Sequence, residues 1–209
     1  LTARIRGPEN PDFCREGSTH PSAQHYPKAR ANRHLAVFDP ATRDYSFVDT
    51  CFGTHHLQFD QDEANTLWTS GGGDVVGWLD TRAFLESGDA AAAQTWAPVI
   101  LDTNGNGRLD AWTEPDEPVD PEKDHRLGRA FYAVMPSPVD DSVWGSVAFS
   151  FPGGIVRMVP GDDPPATTLS EYYEPPPPGF GVRGADIDSE GVVWVSLGSG
   201  HLGAFDRRK

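Results

Sequence analysis

The chain has 209 residues, and its 17 basic and 31 acidic side chains give a formal net charge of −14 at pH 7. This acidic balance argues against binding to nucleic acid or to an anionic membrane surface, because both need clustered Lys and Arg. No apolar run approaches the length of a transmembrane helix, so we also predict no membrane insertion.

The first predicted unit, residues 1–52, is a partial sheet that is interrupted by a long insertion. One strand is predicted at 1–6, and two more are predicted at 34–39 and 45–51. Residues 7–33 between them are polar and aperiodic. Such a segment is unusual within a compact fold and is often functional.

The two cysteines of the chain lie in this first unit. Cys14 falls within the insertion and Cys51 falls at the end of a strand. Each is explained most simply as a small buried hydrophobic residue. However, both have polar, loop-like neighbours, which favours a disulfide that ties the insertion to its sheet. A disulfide indicates a periplasmic or secreted location.

The same order of elements then recurs three times. Each copy has an apolar strand, a turn, a strand that carries Trp, a Gly-rich turn and a further strand, within residues 53–101, 128–174 and, partially, 181–209. A short helix is predicted at 85–93, before the last strand of the first copy. The anchoring tryptophans are Trp68, Trp144 and Trp194.

Repeats of about 40–50 residues with about four strands each are typical of β-propeller blades. The sequence therefore predicts an all-β fold, in which residues 1–209 form a single β-propeller region of about four four-stranded antiparallel blades. A β-sandwich with chance internal similarity is the alternative. The chain opens on a strand already under way and stops one strand short of a blade, so we expect a segment of a larger six- or seven-bladed ring. Other blades of the same protein, or further copies, would close that ring, since open sheet edges promote association.

The run Asp188-Ser-Glu-Gly-Val-Val-Trp-Val, followed by a Gly turn and Phe205-Asp206, resembles the blade motif of streptogramin-lyase-like and gluconolactonase/regucalcin-like propellers. The resemblance covers the blade cores, about half of the chain, and implies the fold rather than an activity. Enzymes of these families use a divalent metal and a His in the central channel. The resemblance therefore also implies, as an alternative function, a metal-dependent lyase or lactone hydrolase with a His as general base.

Residues 102–127, between the second and third units, are predicted to form a calcium-type loop and an acidic linker. Within Asp102-Thr-Asn-Gly-Asn-Gly-Arg-Leu-Asp110, oxygen-bearing side chains occupy relative positions 1, 3, 5 and 9, and Gly occupies position 6. The loop resembles EF-hand and dockerin loops, except that Thr113 stands at position 12 in place of the bidentate Glu, for which Glu114 or Asp116 is the expected substitute. An Asn-Gly turn without metal is the alternative. We predict structural Ca²⁺ and no organic cofactor; the candidate ligands are Asp102, Asn104, Asn106, the Arg108 carbonyl, Asp110 and Glu114.

The remaining candidates are polar residues that a propeller would gather on one face. The links between blades, and those between the second and third strands of each blade, emerge on the face at which the channel opens, where ligands usually bind. Alternation along a strand would allow only one of His55 and His56 to face the channel. The candidate ligand-binding residues are His55, His56, Asp74, Arg129, Arg183 and His201, of which His55, His56 and His201 are the candidate general bases.

Two functions are therefore compatible with the sequence. The first is a calcium-stabilised, extracytoplasmic β-propeller module that binds a small ligand or a protein partner on the face that carries the insertion. The second is the metal-dependent lyase or lactone hydrolase implied by the resemblance. Since the starts of the inner strands show His and Arg but no clear Glu, the binding module is favoured.

Overall fold

The computed structural model describes residues 2–4, 9–31, 33–70, 73–129 and 131–209. Over these residues the secondary structure is mostly β, with strands in four sheets and only short helices. The all-β prediction is confirmed at this level. None of the helices in the described residues has the length and apolarity needed to cross a lipid bilayer.

The first sheet contains β1 (Thr2–Arg4), β2 (His34–Phe38) and β3 (Tyr45–Val48), paired antiparallel in chain order. The insertion leaves this sheet after β1 and returns at β2. It contains a 3₁₀ helix (Asp12–Cys14) and α1 (Pro21–His25). The predicted insertion is therefore locally structured in its described residues.

The second sheet contains β4 (His56–Phe59), β5 (Thr66–Ser70), β6 (Val75–Asp80) and β7 (Gln94–Pro98), again antiparallel in chain order. Helix α2 (Thr81–Ser87) connects β6 to β7. The bounds predicted for this helix, 85–93, were wrong.

The early start and end of α2 have local causes. The Asp80 carboxylate accepts a hydrogen bond from the Ala83 N–H, which is N-cap geometry. Gly88, with φ of 71°, ends the helix in the left-handed conformation that glycine adopts most easily. Asp80 thus both ends a strand and begins a helix, and the strand pattern alone does not reveal the second role.

The third sheet is built from two parts of the chain. The first part supplies β8 (Ile100–Leu101), β9 (Trp112–Thr113) and β10 (Asp124–Arg126). Strand β10 pairs with β8 on one side and with β9 on the other. The segment predicted as a linker, 102–127, therefore contributes two short strands.

The second part of this sheet is an antiparallel meander of β11 (Val134–Pro136), β12 (Val143–Val147), β13 (Gly154–Val159) and β14 (Leu169–Tyr173). Strand β8 joins the meander through a parallel pairing with β14. The calcium-type loop, which lies between β8 and β9, is thereby attached to the outer side of this meander.

The fourth sheet contains β15 (Val182–Ile187), β16 (Val193–Leu197) and β17 (Leu202–Phe205), paired antiparallel in chain order. The described residues thus form successive antiparallel meanders, and the sheets of these residues do not close into a ring.

The three anchoring tryptophans occupy equivalent positions, each on the second strand of its sheet. In each sheet, the residue after the first strand donates its N–H to the carbonyl two residues before the Trp. These pairs are Asp60 to Thr66, Ser137 to Ser142, and Asp188 to Val192. Trp68 and Trp194 also donate their indole N–H to Asp60 and Asp188, at 3.1 and 2.8 Å.

Side-chain packing joins the sheets in chain order. Trp68 packs in one core cluster with Phe131 and Val143 of the third unit. Trp144 packs with Val182 and other residues of the fourth sheet. Trp194 has no later sheet against it and is 41% exposed.

Candidate functional site

The histidines of the second sheet form an aromatic contact with the link to the third. His56 begins β4 and His55 precedes it, and their ring centroids lie 4.4 Å apart. The Tyr132 ring lies 5.7 Å from His55 and 4.8 Å from His56. Alternation along a strand does not separate the two histidines, because His55 lies before the strand begins. Both rings therefore contact the same tyrosine.

Arg183 of the fourth sheet also contacts the Tyr132 ring. Its guanidinium carbon lies 5.3 Å from the centroid of the Tyr132 ring and 4.3 Å from that of Phe149. These are cation–π distances. Phe149 is 66% exposed, and its φ of 64° lies in a region that a phenylalanine rarely adopts. We call His55, His56, Tyr132, Phe149 and Arg183 the aromatic cluster.

Two buried serines position this cluster. Ser70 on β5 donates its hydroxyl hydrogen to the Tyr132 carbonyl, and Ser146 on β12 donates to the Arg183 carbonyl, both at 2.6 Å. Each serine lies two residues after an anchoring tryptophan and fixes the backbone that leads into the next sheet. The sequence signal for them is a recurring Trp-x-Ser, which is also present as Trp194-Val-Ser196.

The insertion is anchored beside the second sheet. The predicted disulfide is confirmed: Cys14 and Cys51 are bonded, with their Cα atoms 5.3 Å apart. The His20 ring stacks on Trp96 of β7, with centroids 4.6 Å apart. The Trp96 indole N–H donates to the Tyr26 carbonyl at 2.8 Å. Covalent and packing contacts thus hold the insertion at a defined position.

A polar pocket of about 390 Å³ lies between the insertion and the second sheet. The insertion contributes Lys28, Arg30 and Arg33, while His55 and Asp74 line the other side. Arg30 and Arg33 are exposed and make no ion pair with another described residue. We call this the cationic pocket. His55 belongs to both the cationic pocket and the aromatic cluster, so the two adjoin at this residue.

Asp74 joins the insertion to this pocket. Its carboxylate pairs with the Lys28 ammonium group and accepts a hydrogen bond from the Tyr26 hydroxyl at 3.0 Å. Burial alone would raise the pKa of Asp74, but the contacts with Lys28 and Tyr26 outweigh burial and lower it. Burial, followed by the charge of Asp74, raises the pKa of Tyr26 to about 12.

The lowered pKa of Asp74 predicts a pH-dependent contribution to stability. Its folded-state pKa lies below the unfolded value, so the stabilisation is fully present above about pH 4 and is lost as the pH falls through the folded pKa. We expect Asp74→Asn to melt at a lower temperature than the wild type at pH 7, with the difference shrinking towards pH 3. Calorimetric melting curves between pH 3 and 7 measure this.

Asp162→Asn is the matched control for this series, because Asp162 is exposed and makes no hydrogen bond or ion pair with another described residue. A difference between Asp74→Asn and wild type that stays constant down to pH 3 would show that the Asp74–Lys28 contact is not what stabilises the insertion.

The protonation state of His56 bears on any proton transfer at this face. Partial burial, and then the neighbouring His55, lower the pKa of His56. At neutral pH the imidazole is therefore neutral and has a lone pair available to accept a proton.

The other two candidate ligand-binding residues do not line the cationic pocket and are not part of the aromatic cluster. His201 lines an apolar pocket of about 330 Å³ together with Tyr173, Phe205 and the prolines 175–178. Arg129 is exposed in the link before β11 and makes no hydrogen bond or ion pair with another described residue. The structure thus brings together His55, His56, Asp74 and Arg183. Tyr132 and Phe149 join them, although no sequence pattern indicated either.

The calcium-type loop curls around Asp102. Its Oδ1 accepts hydrogen bonds from the N–H groups of Gly105 and Asn106, at 2.7 and 3.2 Å, and its Oδ2 accepts one from Gly107 at 2.9 Å. Gly105 and Gly107 both have φ of 73°, which permits the turn. The backbone therefore forms a tight turn around the Asp102 carboxylate.

The other predicted ligands divide into two groups. The side-chain amides of Asn104 and Asn106 both donate to Asp110 Oδ2, so these three side chains converge. The Glu114 carboxylate is instead engaged by the Arg126 guanidinium and by the Trp112 indole N–H, at 2.8 and 3.0 Å. In the described part of the chain, no three His, Cys, Asp or Glu side chains are grouped to hold a metal ion.

A carboxylate from outside the loop lies beside it. Asp124 on β10 is fully buried, and its Oδ2 accepts a hydrogen bond from the Asp110 N–H at 2.8 Å. Burial raises the pKa of Asp124; the hydrogen bond from Asp110 opposes this, and the nearby charges of Asp102 and Asp110 raise it further. The sequence pattern of the loop does not extend to Asp124, which lies 14 residues beyond Asp110.

Taken together, these observations define a disulfide-bonded, all-β chain with a histidine- and arginine-containing face that spans three sheets. Comparison with protein-family models, with curated proteins and with solved structures found no match for the chain.

Proposed function

We propose that the chain is a β-propeller segment of the streptogramin-lyase-like type, calcium-stabilised and extracytoplasmic, that binds a ligand on the face carrying the insertion. The observation that carries the binding function is that the cationic pocket and the aromatic cluster adjoin at His55. Three sheets and the insertion contribute to this one surface. The Cys14–Cys51 disulfide supports a periplasmic or secreted location.

The propeller arrangement is supported by the repeated environment of the tryptophans. Trp68 and Trp144 are 5% and 3% exposed because a later sheet covers each of them, whereas Trp194 in the equivalent position is 41% exposed. Ser196, equivalent to Ser70 and Ser146, donates within its own sheet, to the Gly184 carbonyl. A further blade packed on the fourth sheet would cover Trp194. It would also give Ser196 a backbone carbonyl of the next sheet to donate to, as Ser70 and Ser146 have. That blade comes from the same protein or from a second copy.

The chemistry of the face favours a small anionic ligand with an apolar or aromatic part. Arg30 and Arg33 supply positive charge without an acidic partner among the described residues, on a chain with a net charge of −14. Arginine binds carboxylate and phosphate groups in bidentate fashion. The exposed Phe149 ring and the two imidazoles provide stacking surfaces beside it. A protein partner that presents an acidic side chain next to an aromatic one would satisfy the same surface.

Substitution of Arg183 tests this proposal. We expect Arg183→Ala to weaken binding of an aromatic anion about 5- to 30-fold, because a cation–π contact and a charge worth about 1–2 kcal/mol are lost. His56→Ala is expected to act in the same direction. Calorimetric titration with 4-nitrophenyl phosphate and benzoate, with inorganic phosphate as the non-aromatic comparison, measures the effect.

Arg82→Ala is the matched control, since Arg82 is an exposed arginine on α2. Full retention of wild-type affinity by His55→Ala, His56→Ala and Arg183→Ala would rule out the aromatic cluster as the binding surface. Unchanged melting temperatures of the three variants would separate a loss of binding from a loss of folding.

A metal-dependent lyase or lactone hydrolase is the second candidate, and one observation favours it. The lowered pKa of His56 leaves a neutral imidazole, adjacent to His55, that can accept a proton at neutral pH. Hydrolysis of a simple lactone such as dihydrocoumarin, measured with Ca²⁺ and with chelator, distinguishes the two functions. Turnover that is abolished by His56→Ala and by chelator favours the enzyme.

A further inference from the structure

We infer that Asp124, and not Glu114, is the carboxylate that completes the calcium site of the loop at 102–110. The inference rests on the calcium site of the proposed function and assigns it a ligand from outside the loop. It depends on the burial and hydrogen bonding of Asp124, which are independent of the loop's own sequence pattern.

Asp124 has one carboxylate oxygen without a partner. The residue is fully buried, and Oδ2 accepts the hydrogen bond from Asp110. Oδ1 has no partner at hydrogen-bond distance among the described residues, and the Thr103 backbone N–H contributes only the weakest of the interactions with this carboxylate. A buried charge that lacks compensation is strongly unfavourable, and buried carboxylates are normally paired or bound to metal. A cation bound beside Oδ1 would supply the missing partner.

The strand pairing fixes Asp124 next to the end of the loop. Strand β10 runs parallel to β9, with Asp124 opposite Trp112, and the Asp124 N–H donates to the Ala111 carbonyl at 3.1 Å. Asp124 is thus tied to Asp110 and Ala111 by backbone and side chain alike. A ligand 14 residues further along the chain is placed at the loop by the sheet rather than by the loop itself.

Glu114 is committed to a different interaction. One of its carboxylate oxygens accepts from Arg126 and the other accepts from Trp112. The side chain of Arg126 is only 11% exposed, so releasing Glu114 towards the loop would leave a largely buried guanidinium without its acidic partner. We therefore expect Glu114 to remain paired with Arg126 rather than to coordinate a metal ion.

The loop must exchange hydrogen bonds to present oxygen atoms to a cation. The side-chain oxygens of Asn104 and Asn106 accept from the N–H groups of Asn106 and Arg108, at 3.1 and 2.8 Å, and their nitrogens donate to Asp110 Oδ2. Turning each carboxamide towards Asp110 would replace these bonds by contacts of its oxygen with the cation. Ca²⁺ takes about six to eight oxygen ligands from carboxylates, amides, backbone carbonyls and water. Asp102, Asn104, Asn106, the Arg108 carbonyl, Asp110 and Asp124 are the oxygen donors that we assign to such a set, with water filling the remainder. Since no three carboxylates of the described residues are grouped around one point, Asp102, Asp110 and Asp124 would have to close around the ion when it binds.

Substitution of Asp124 in the full chain tests the inference, with Glu114→Gln as the matched control. We expect Asp124→Asn to weaken Ca²⁺ binding at least about tenfold in calorimetric titration, because a charged ligand is lost. Glu114→Gln is expected to stay within about threefold of the wild type. The Asn oxygen can still accept the hydrogen bond from Asp110, so the loop remains anchored.

Melting temperatures provide a second test, because Asp124→Asn is expected to shift them in opposite directions in chelator and in Ca²⁺. In excess chelator, Asp124→Asn is expected to melt at or above the wild-type temperature, because an uncompensated buried charge has been removed. In millimolar Ca²⁺ it is expected to melt below the wild type, because the gain from metal binding is reduced. A merely structural role of Asp124 would lower the melting temperature in both conditions.

The outcomes separate the inference from the proposed function. Ca²⁺ binding that survives Asp124→Asn but is lost in Glu114→Gln overturns the inference and leaves the calcium site in place. An Asp124→Asn protein that melts below the wild type in chelator, or that does not fold, also overturns it. Failure of the wild type to bind Ca²⁺, with a melting temperature unaffected by chelator, overturns the calcium part of the proposed function itself.

Discussion

Replacement of Cys14 and Cys51 together by alanine is expected to lower the free energy of unfolding by about 4 kcal/mol. The disulfide closes a loop with a sequence separation of 37 residues. In the chain-entropy description, a cross-link over a loop of this length destabilises the unfolded state by about 4 kcal/mol. Both sulfurs are also fully buried in a cluster with Phe52 and Trp96, so the substitution removes packing as well.

Urea unfolding of the oxidised wild type, the reduced wild type and the double variant measures this effect. The reduced wild type is the internal control, because it keeps both sulfurs in the core and isolates the covalent contribution. Identical unfolding midpoints before and after complete reduction would contradict the prediction.

The same substitution has a functional consequence. Lys28, Arg30 and Arg33 lie on the insertion, which the disulfide anchors, and they supply the positive charge of the cationic pocket. The double variant should therefore bind 4-nitrophenyl phosphate more weakly, even where it is still folded. Arg183, which lies on the fourth sheet, should keep its contact with Phe149.

The parts of the fold that were predictable from the sequence are those with a local and repeated signal. The Trp strand recurs with the same turn before it, and Trp68, Trp144 and Trp194 do occupy equivalent positions. The polar surroundings of Cys14 and Cys51 were enough to suggest their pairing, which the structure confirms. The serine two residues after each Trp was available in the same repeat and was overlooked.

The parts that were not predictable depend on contacts between distant segments. Tyr132 becomes a site residue because Ser70, 62 positions earlier, holds its carbonyl. Asp124 lies beside the calcium-type loop because β10 pairs with β9, and both strands fell within a segment predicted as a linker. Glu114 was selected for its sequence distance from Asp102, whereas Arg126 determines where its carboxylate lies. Spacing along the chain describes a loop well, but it does not reveal the residues that a sheet brings next to that loop.

Substitution of Gly145 by alanine is expected to lower the free energy of unfolding, by slightly less than the loss of the disulfide does. Gly145 lies in the middle of β12, and a Cβ atom there would be 2.1 Å from Cγ of Phe131. The Phe131 ring is fully buried in the core cluster that joins the second and third units. Because the ring has no open space to move into, we expect a loss of about 3 kcal/mol, at the upper end of the range for overpacked cores.

Gly184→Ala is the matched control, since Gly184 also lies within a strand but its added Cβ would meet only Ser196 Oγ, at 3.4 Å. This variant should be neutral or slightly stabilising, because alanine restricts the unfolded chain. Adding Phe131→Leu to Gly145→Ala should recover part of the loss, as expected for two residues in contact. Equal unfolding midpoints for Gly145→Ala and Gly184→Ala would contradict the close approach of Phe131 to β12.

The effect of Gly145→Ala should extend to the ligand-binding face. Phe131 immediately precedes Tyr132, so a displaced Phe131 ring moves the backbone that places Tyr132 between His56 and Arg183. Gly145→Ala should therefore bind aromatic anions more weakly than the wild type, because Tyr132 is displaced. Gly184→Ala should bind them with wild-type affinity. If both variants bind equally well, the position of Tyr132 is fixed by its backbone hydrogen bonds with Ser70 and Ser146 and does not depend on the packing of Phe131.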